Sequence, residues 1–223
     1  MDLHLSPLEG DVQARLLFLR SDELLFQWND ETNNLQSKLI AHQDARIAFA
    51  KMEDDTGWLS SGVIRAGRNS RGAWVVYVAP PQLMNISTDQ NEALLIPIPM
   101  SLFVGWGHRY YVFALQGKTF APNNPVYRAP YPNVYDNGRI CWGSHKVPVV
   151  APLTIGQTWK FFFATTFNSH IASGKTRTHP DNALDLLREL SVARRKSFPA
   201  RELVKQSHSV NACLDSLLKL TED

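Results

Sequence analysis

The sequence predicts an α+β chain in which an antiparallel β-meander comes first and helices come last. Short runs of β-branched and aromatic residues recur between glycines and prolines as far as Ala129. Beyond Thr154 the apolar residues change to helical spacing. Between the two regimes lies Tyr131-Pro132-Asn133-Val134-Tyr135-Asp136-Asn137-Gly138-Arg139-Ile140-Cys141-Trp142, a turn-rich stretch that holds one of the two cysteines.

The first 65 residues are expected to form a β-rich extension packed on the core. In it the apolar runs Arg15 to Arg20 and Glu23 to Trp28 flank Ser21-Asp22 and read as a hairpin, an added sheet edge. A further strand is expected over Arg46 to Ala50. Gly57, Gly62, Gly67 and Gly72 recur at intervals of five, but the residues between them do not repeat, so they read as loop and turn positions. The core proper is expected over 66–175. Its first strand, Ala73 to Val78, stops at Pro80-Pro81, because proline has no N–H for the ladder. Leu94 to Ile96 and Tyr110 to Leu115 follow as strands, with Gly105 and Gly107 as turns between them, and Pro125 to Ala129 is a short fourth.

Helices complete the chain. Thr154 is placed to cap a helix carrying Ile155, Trp159, Phe162 and Phe163 on one face. In the C-terminal segment, 176–223, Asn182 to Lys196 puts Ala183, Leu186, Leu187 and Leu190 together. After a turn at Ser197-Phe198-Pro199, Ser209 to Leu220 does the same for Val210, Cys213, Leu214, Leu217 and Leu218. Cys213 therefore reads as core.

Composition narrows the function classes. With 223 residues, 44% hydrophobic and 20% charged, the chain suits one domain with extensions, and no apolar run approaches the ~20 residues of a membrane span. Met1-Asp2-Leu3-His4 is not a basic region followed by an apolar run, so no signal peptide is read and a cytoplasmic protein is expected. A net charge of +2 argues against a dedicated nucleic-acid binder and for protein partners. Two distant cysteines without an export signal read as free thiols.

Pro132 favours an extended residue before it, and Asp136-Asn137-Gly138 is turn chemistry, so Cys141 falls just beyond a tight turn. This stretch resembles the active-site segment of ubiquitin-conjugating enzymes: His-Pro-Asn, an apolar residue, a turn ending in glycine, a short apolar residue, then cysteine. Asn133 precedes Cys141 by eight positions, the family's spacing, and Gly138 and Ile140 fall where the family has glycine and isoleucine. Ala151-Pro152-Leu153-Thr154-Ile155 resembles the Pro-Ala-Leu-Thr-Ile that opens the family's next helix. More closely, the chain resembles a prokaryotic branch, the protein B family of the plasmid-associated PRTRC systems. That likeness rests on Trp142-Gly143, Phe167-Asn168-Ser169-His170, Gly174-Lys175, Gly72-Ala73-Trp74-Val75 and Pro80-Pro81. Two departures stand out: Tyr131 replaces the histidine of the eukaryotic motif, and the strand segment before it is shorter.

The resemblance implies a ubiquitin-conjugating core over 66–175 in which Cys141 accepts a ubiquitin-like modifier as a thioester. It also implies two partners, an adenylating activating enzyme and the modifier itself, and no metal or small-molecule cofactor. Asn133 is given the oxyanion role, where loss of one donor costs about 100- to 1,000-fold in rate; read by itself, it is also a turn-stabilising asparagine. Tyr131, Pro132, Asp136, Gly138 and Trp142 would shape the loop. His145 reads as a base, a metal ligand or a surface residue, but a single Cys-x-x-x-His lacks the second ligand pair of a zinc site. As a base it would support a deconjugating thiol hydrolase, with His108 and His170 as further partners. A third possibility is a non-catalytic interaction module with the same fold. Gly174-Lys175-Thr176 is not a phosphate loop, because Ser169 stands where that motif needs glycine; the segment reads as a helix end with a solvated lysine. Arg188, Arg194, Arg195, Lys196 and Arg201 form a basic cluster that reads as a solvated face or as a dock for an acidic partner.

Overall fold

The computed structural model describes residues 12, 14–19, 23–45, 58–69 and 71–218. The chain divides into two units, 1–57 and 58–223. The first holds an antiparallel sheet of β1 (Ala14–Phe18), β2 (Leu24–Asn29) and β3 (Leu35–Ile40), in that order. The expected hairpin is β1 with β2, paired with Leu16 opposite Phe26. β3 was not anticipated, because five of its six residues face solvent and it carries little apolar signal. It returns through a turn tied by Asp30, whose carboxylate accepts from the Asn34 and Thr32 amides, the Thr32 hydroxyl and Gln36 Nε2. The hydrogen bonds, that of the Asn34 amide foremost, lower the Asp30 pKa to about 2. The strand expected over Arg46 to Ala50 and the turn at Ser21-Asp22 lie outside the described residues.

The second unit is built on a six-stranded sheet. Its strands are β4 (Val63–Asn69), β5 (Gly72–Ala79), β8 (Met100–Trp106), β9 (Arg109–Leu115), β10 (Val126–Arg128) and β12 (Lys205–Ser207), in the order β12-β10-β9-β8-β5-β4, all antiparallel. A smaller sheet joins β6 (Gln82–Thr88) to β7 (Ala93–Ile98) antiparallel and to β11 (Thr166–Phe167) parallel. The helices are α1 (Ile155–Ala164), α2 (Ala183–Val192) and α3 (Val210–Leu218). The class is α+β, as expected. The order of the meander is corrected: Leu94 to Ile96 belongs to the smaller sheet, and β8 lies between β5 and β9. Gly105 and Gly67 are strand residues rather than turns. A Cβ on Gly105 would lie 2.4 Å from Val150, and one on Gly67 would lie 2.5 Å from the Trp74 ring.

β8 and β9 are buried on both faces, and this explains their unbroken apolar runs. On one face Val75, Phe103, Tyr110 and Val112 meet Ile155, Trp159, Phe162 and Phe163 of α1 and Leu184 and Leu187 of α2. On the other, Val76, Leu102, Val104, Tyr111 and Phe113 meet Val210, Cys213, Leu214 and Leu218 of α3. Thr154 holds the N-cap position of α1, but its side chain makes no cap bond, whereas Asn182 accepts from the Leu184 amide to cap α2. No helix among the described residues is long and apolar enough to cross a membrane.

Cys213 sits in this second core, where burial pushes its thiol up to about 12. At neutral pH it therefore carries roughly a thousandth of the thiolate of an ordinary cysteine. Alkylation of the native protein should modify Cys213 at least about 100-fold more slowly than alkylation in denaturant. Peptide mass spectrometry of the labelled protein measures both rates, and rapid native labelling would contradict its place under α3.

Candidate active site

The edge of β9 has two partners in succession. Phe113 to Leu115 pair with β10, and the chain then leaves the edge and returns to it at Gly138. There the Val112 amide donates to the Gly138 carbonyl and the Ile140 amide to the Tyr110 carbonyl, both at 2.8 Å, with Tyr111 opposite Arg139. The excursion folds back on itself as a small hairpin. Val134 pairs with Ile140, the Tyr135 amide donates to the Arg139 carbonyl, and the Gly138 amide closes the turn on the Tyr135 carbonyl. Gly138 is needed there twice over: its φ is +84°, and a Cβ would lie 2.4 Å from the Phe113 ring.

The hairpin places its two ends side by side. The Cys141 amide donates to the Asn133 carbonyl at 2.8 Å, so residues eight apart in sequence become neighbours. Asn133 adopts φ +60°, a left-handed conformation that asparagine tolerates better than most residues. It is 8% exposed, and its side-chain Nδ2 donates to the Thr166 carbonyl of β11 at 2.8 Å. A carboxamide nitrogen has two N–H groups, and the other makes no hydrogen bond among the described residues. Cys141 is a half-buried free thiol. It lines a cavity of about 170 Å³ together with Asn133, Trp142, His145, Thr166 and Asn168.

Aromatic packing pins both ends of the hairpin. Trp142 stacks on Phe161 (5.7 Å, 11°) and meets Tyr110 and Phe162 edge-on. Tyr131 is fully buried between Phe162 and Phe163, with its hydroxyl 3.2 Å from Ser101 Oγ, so its hydrogen bond anchors the entry to the sheet. Burial pushes its phenol upward, with the Ser101 bond acting the other way. Pro132 is buried and Asp136 exposed. His145 is exposed, its ring edge-on to Phe161 at 5.6 Å. His108 bonds the Val147 carbonyl, and His170 is exposed in a turn capped by Asn168. No histidine among the described residues hydrogen-bonds the Cys141 sulfur.

Lys175 corrects the sequence reading. It is 1% exposed, not solvated, and its ammonium donates to the Val134 carbonyl and lies 3.7 Å from Asp136 Oδ1. Arg128 Nη1 lies 3.3 Å from the same carboxylate oxygen and donates to the Gly174 carbonyl, and Gln206 Nε2 donates to the Asp136 carbonyl. Burial lowers the Lys175 pKa, with Asp136 opposing and Arg128 adding to the effect. Nothing in the local sequence signals this, because lysine is ordinarily a surface residue. Within the basic cluster, Arg188 is bidentate to Glu92, which holds that carboxyl below the usual carboxylate range, and Arg188 also pairs with Asp185.

The site offers a half-buried free thiol and a neutral carboxamide donor that line one cavity. No curated protein and no solved structure matches the chain. The mixed α+β architecture with antiparallel sheets is compatible with a ubiquitin-conjugating-like fold. The family model for prokaryotic E2 family D matches residues 36–206, a span that includes the whole cysteine hairpin and all but the last residue of the six-stranded sheet, and the chain therefore belongs to that prokaryotic ubiquitin-conjugating-like family.

Proposed function

We propose that this protein is a conjugating acyltransferase, with Cys141 as its acceptor thiol and Asn133 as its oxyanion donor. The supporting observation is the pairing of Asn133 with Cys141 beside an open cavity, in a chain of an E2 family. The Cys141 thiolate attacks the thioester carbonyl joining a ubiquitin-like modifier to an adenylating activating enzyme. The activating enzyme's sulfur leaves as a thiolate with the electron pair, and one thioester replaces another at little free-energy cost. An incoming amine then attacks the new carbonyl, gives up its proton, and expels the Cys141 thiolate as the amide forms. The N–H of Asn133 that is not bonded to Thr166 suits the oxyanion of that second step. It is neutral, so it holds no charge in the ground state, and the Thr166 bond restricts how the amide turns.

Residues Trp142-Gly143, Asn168, His170 and Gly174-Lys175 favour a place in the protein B branch of the PRTRC systems. The same reading puts the conjugating core at 66–175, between a β-rich extension and the C-terminal helices, in the cytoplasm with its two protein partners. A hydrolase would need a histidine on the sulfur, and the position of His145 on Phe161 does not favour one.

Incubation with the cognate activating enzyme, modifier and ATP should give a reductant-sensitive adduct on the wild type. Cys141→Ser should give a reductant-resistant, hydroxylamine-sensitive ester, and Cys141→Ala nothing. An adduct on Cys141→Ala would move the chemistry to another residue. Asn133→Gly keeps the left-handed backbone at no steric cost. It should charge normally but discharge to amines about 100-fold more slowly. Unchanged discharge, followed by non-reducing electrophoresis over time, would reduce Asn133 to a turn residue.

A further inference from the structure

Among the described residues, Lys175 combines an ionisable group with nearly complete burial, and the transfer chemistry proposed above gives it no task. A buried ammonium is costly unless hydrogen-bonded and paired, and an apolar side chain of similar length would fill the same space without that cost. Its burial therefore calls for partners that satisfy the ammonium.

Those partners belong to the hairpin. The Val134 carbonyl that receives the ammonium belongs to the residue directly after Asn133. The Asp136 carboxylate, two residues further on, is shared with Arg128, and Arg128 returns to the Gly174 carbonyl beside Lys175. The contacts thus close a ring from the 174–175 segment through the hairpin and back. Gly174 makes room for it: its φ is +69°, and a Cβ there would lie 2.8 Å from Arg128 Nη1. Asn133 adjoins the ring at Val134 and is the one residue of the hairpin's paired ends held in a left-handed conformation. Its carbonyl accepts from Cys141 and its side chain donates to Thr166, so a shift at Val134 is passed to both.

We infer that Lys175 is a positioning residue for the cysteine hairpin, which through the Val134 carbonyl and Asp136 holds the Asn133 backbone, and with it the carboxamide, in place beside Cys141. The effect on transfer rests on the reading of Cys141 and Asn133 given above; the effect on the hairpin does not. Lys175 touches neither the sulfur nor the acyl group, and acts on rate only through Asn133.

Two measurements separate these levels. In the first, amide hydrogen exchange is followed by NMR on wild type and Lys175→Met, whose side chain fills the space without charge or donor. Protection of the Cys141 amide, which is bonded to the Asn133 carbonyl, should fall roughly tenfold while amides of β8 and β9 keep theirs. Unchanged protection at Cys141 overturns the inference. Should Lys175→Met fail to fold, Asp136→Asn, at an exposed side chain, should show the same local loss on a smaller scale, and no loss there overturns it equally.

In the second, Cys141 is loaded by exchange with the glycyl thioester of mercaptoethanesulfonate, which releases that thiol, and the acyl group is discharged to free lysine. Loading should stay within about twofold of wild type in Lys175→Met, while kcat for discharge falls roughly tenfold with KM for lysine unchanged. The double variant Lys175→Met with Asn133→Gly should discharge no more slowly than Asn133→Gly alone, because the lysine acts through the amide. Additive losses would mean a merely structural lysine and overturn the positioning role. A wild type that discharges no faster than the small thioester in solution would refute the transfer reading instead, and leave the exchange experiment to judge Lys175.

Discussion

The hydrogen-bond ladder on one edge of β9 is the constraint on which the site depends. That edge is filled first by β10 and then by Gly138 to Ile140, and the chain between must leave and return in register. Because side chains on a strand alternate faces, a one-residue slip would turn Ile140 outward and Cys141 inward. The register therefore does more than close a sheet edge. It decides that Ile140 is buried and that the next residue, Cys141, stands half-buried beside a cavity.

Packing on both faces of the sheet makes that edge rigid enough to serve. α1 and α2 cover one face and α3 the other, so β9 is a central, doubly buried strand over most of its length. The aromatic side chains of α1 reach the hairpin itself: Phe161 lies under Trp142, and Phe162 and Phe163 enclose Tyr131. Both ends of the excursion are thus fastened to one helix. Such convergence of rigid elements narrows the positions open to the hairpin and to Cys141 at its end.

Electrostatics divide the hairpin into two parts. The cavity beside Cys141 is lined by the neutral carboxamides of Asn133 and Asn168 together with Trp142, His145 and Thr166. On the outer side Lys175 and Arg128 share the single carboxylate of Asp136. Within that group the lysine side chain is 1% exposed and the aspartate 74%, so the buried ammonium meets the Val134 carbonyl inside the fold and a carboxylate that solvent also reaches. The charged contacts thus belong to the support of the loop.

Much of this was legible in the residues. Turn chemistry at Asp136-Asn137-Gly138, the Asn133 to Cys141 spacing and the helical period after Thr154 are local signals, and local signals survive translation into structure. They determined the α+β class, the three helices, the core position of Cys213 and the existence of a turn before Cys141. What they could not determine were features set by partners distant in sequence. β8 carries no clear strand signal because Gly105 within it reads as a turn, and β3 because a solvent-facing strand carries little apolar signal. Gly67 and Gly105 read as turns because the crowding that requires them comes from Trp74 and Val150. Lys175 read as solvated because burial of a lysine is decided by the carbonyl that receives it, and Val134 lies 41 residues away. The sequence alone specified the turn and the thiol; only the tertiary structure decided which backbone edge would carry them and which buried charge would hold them there.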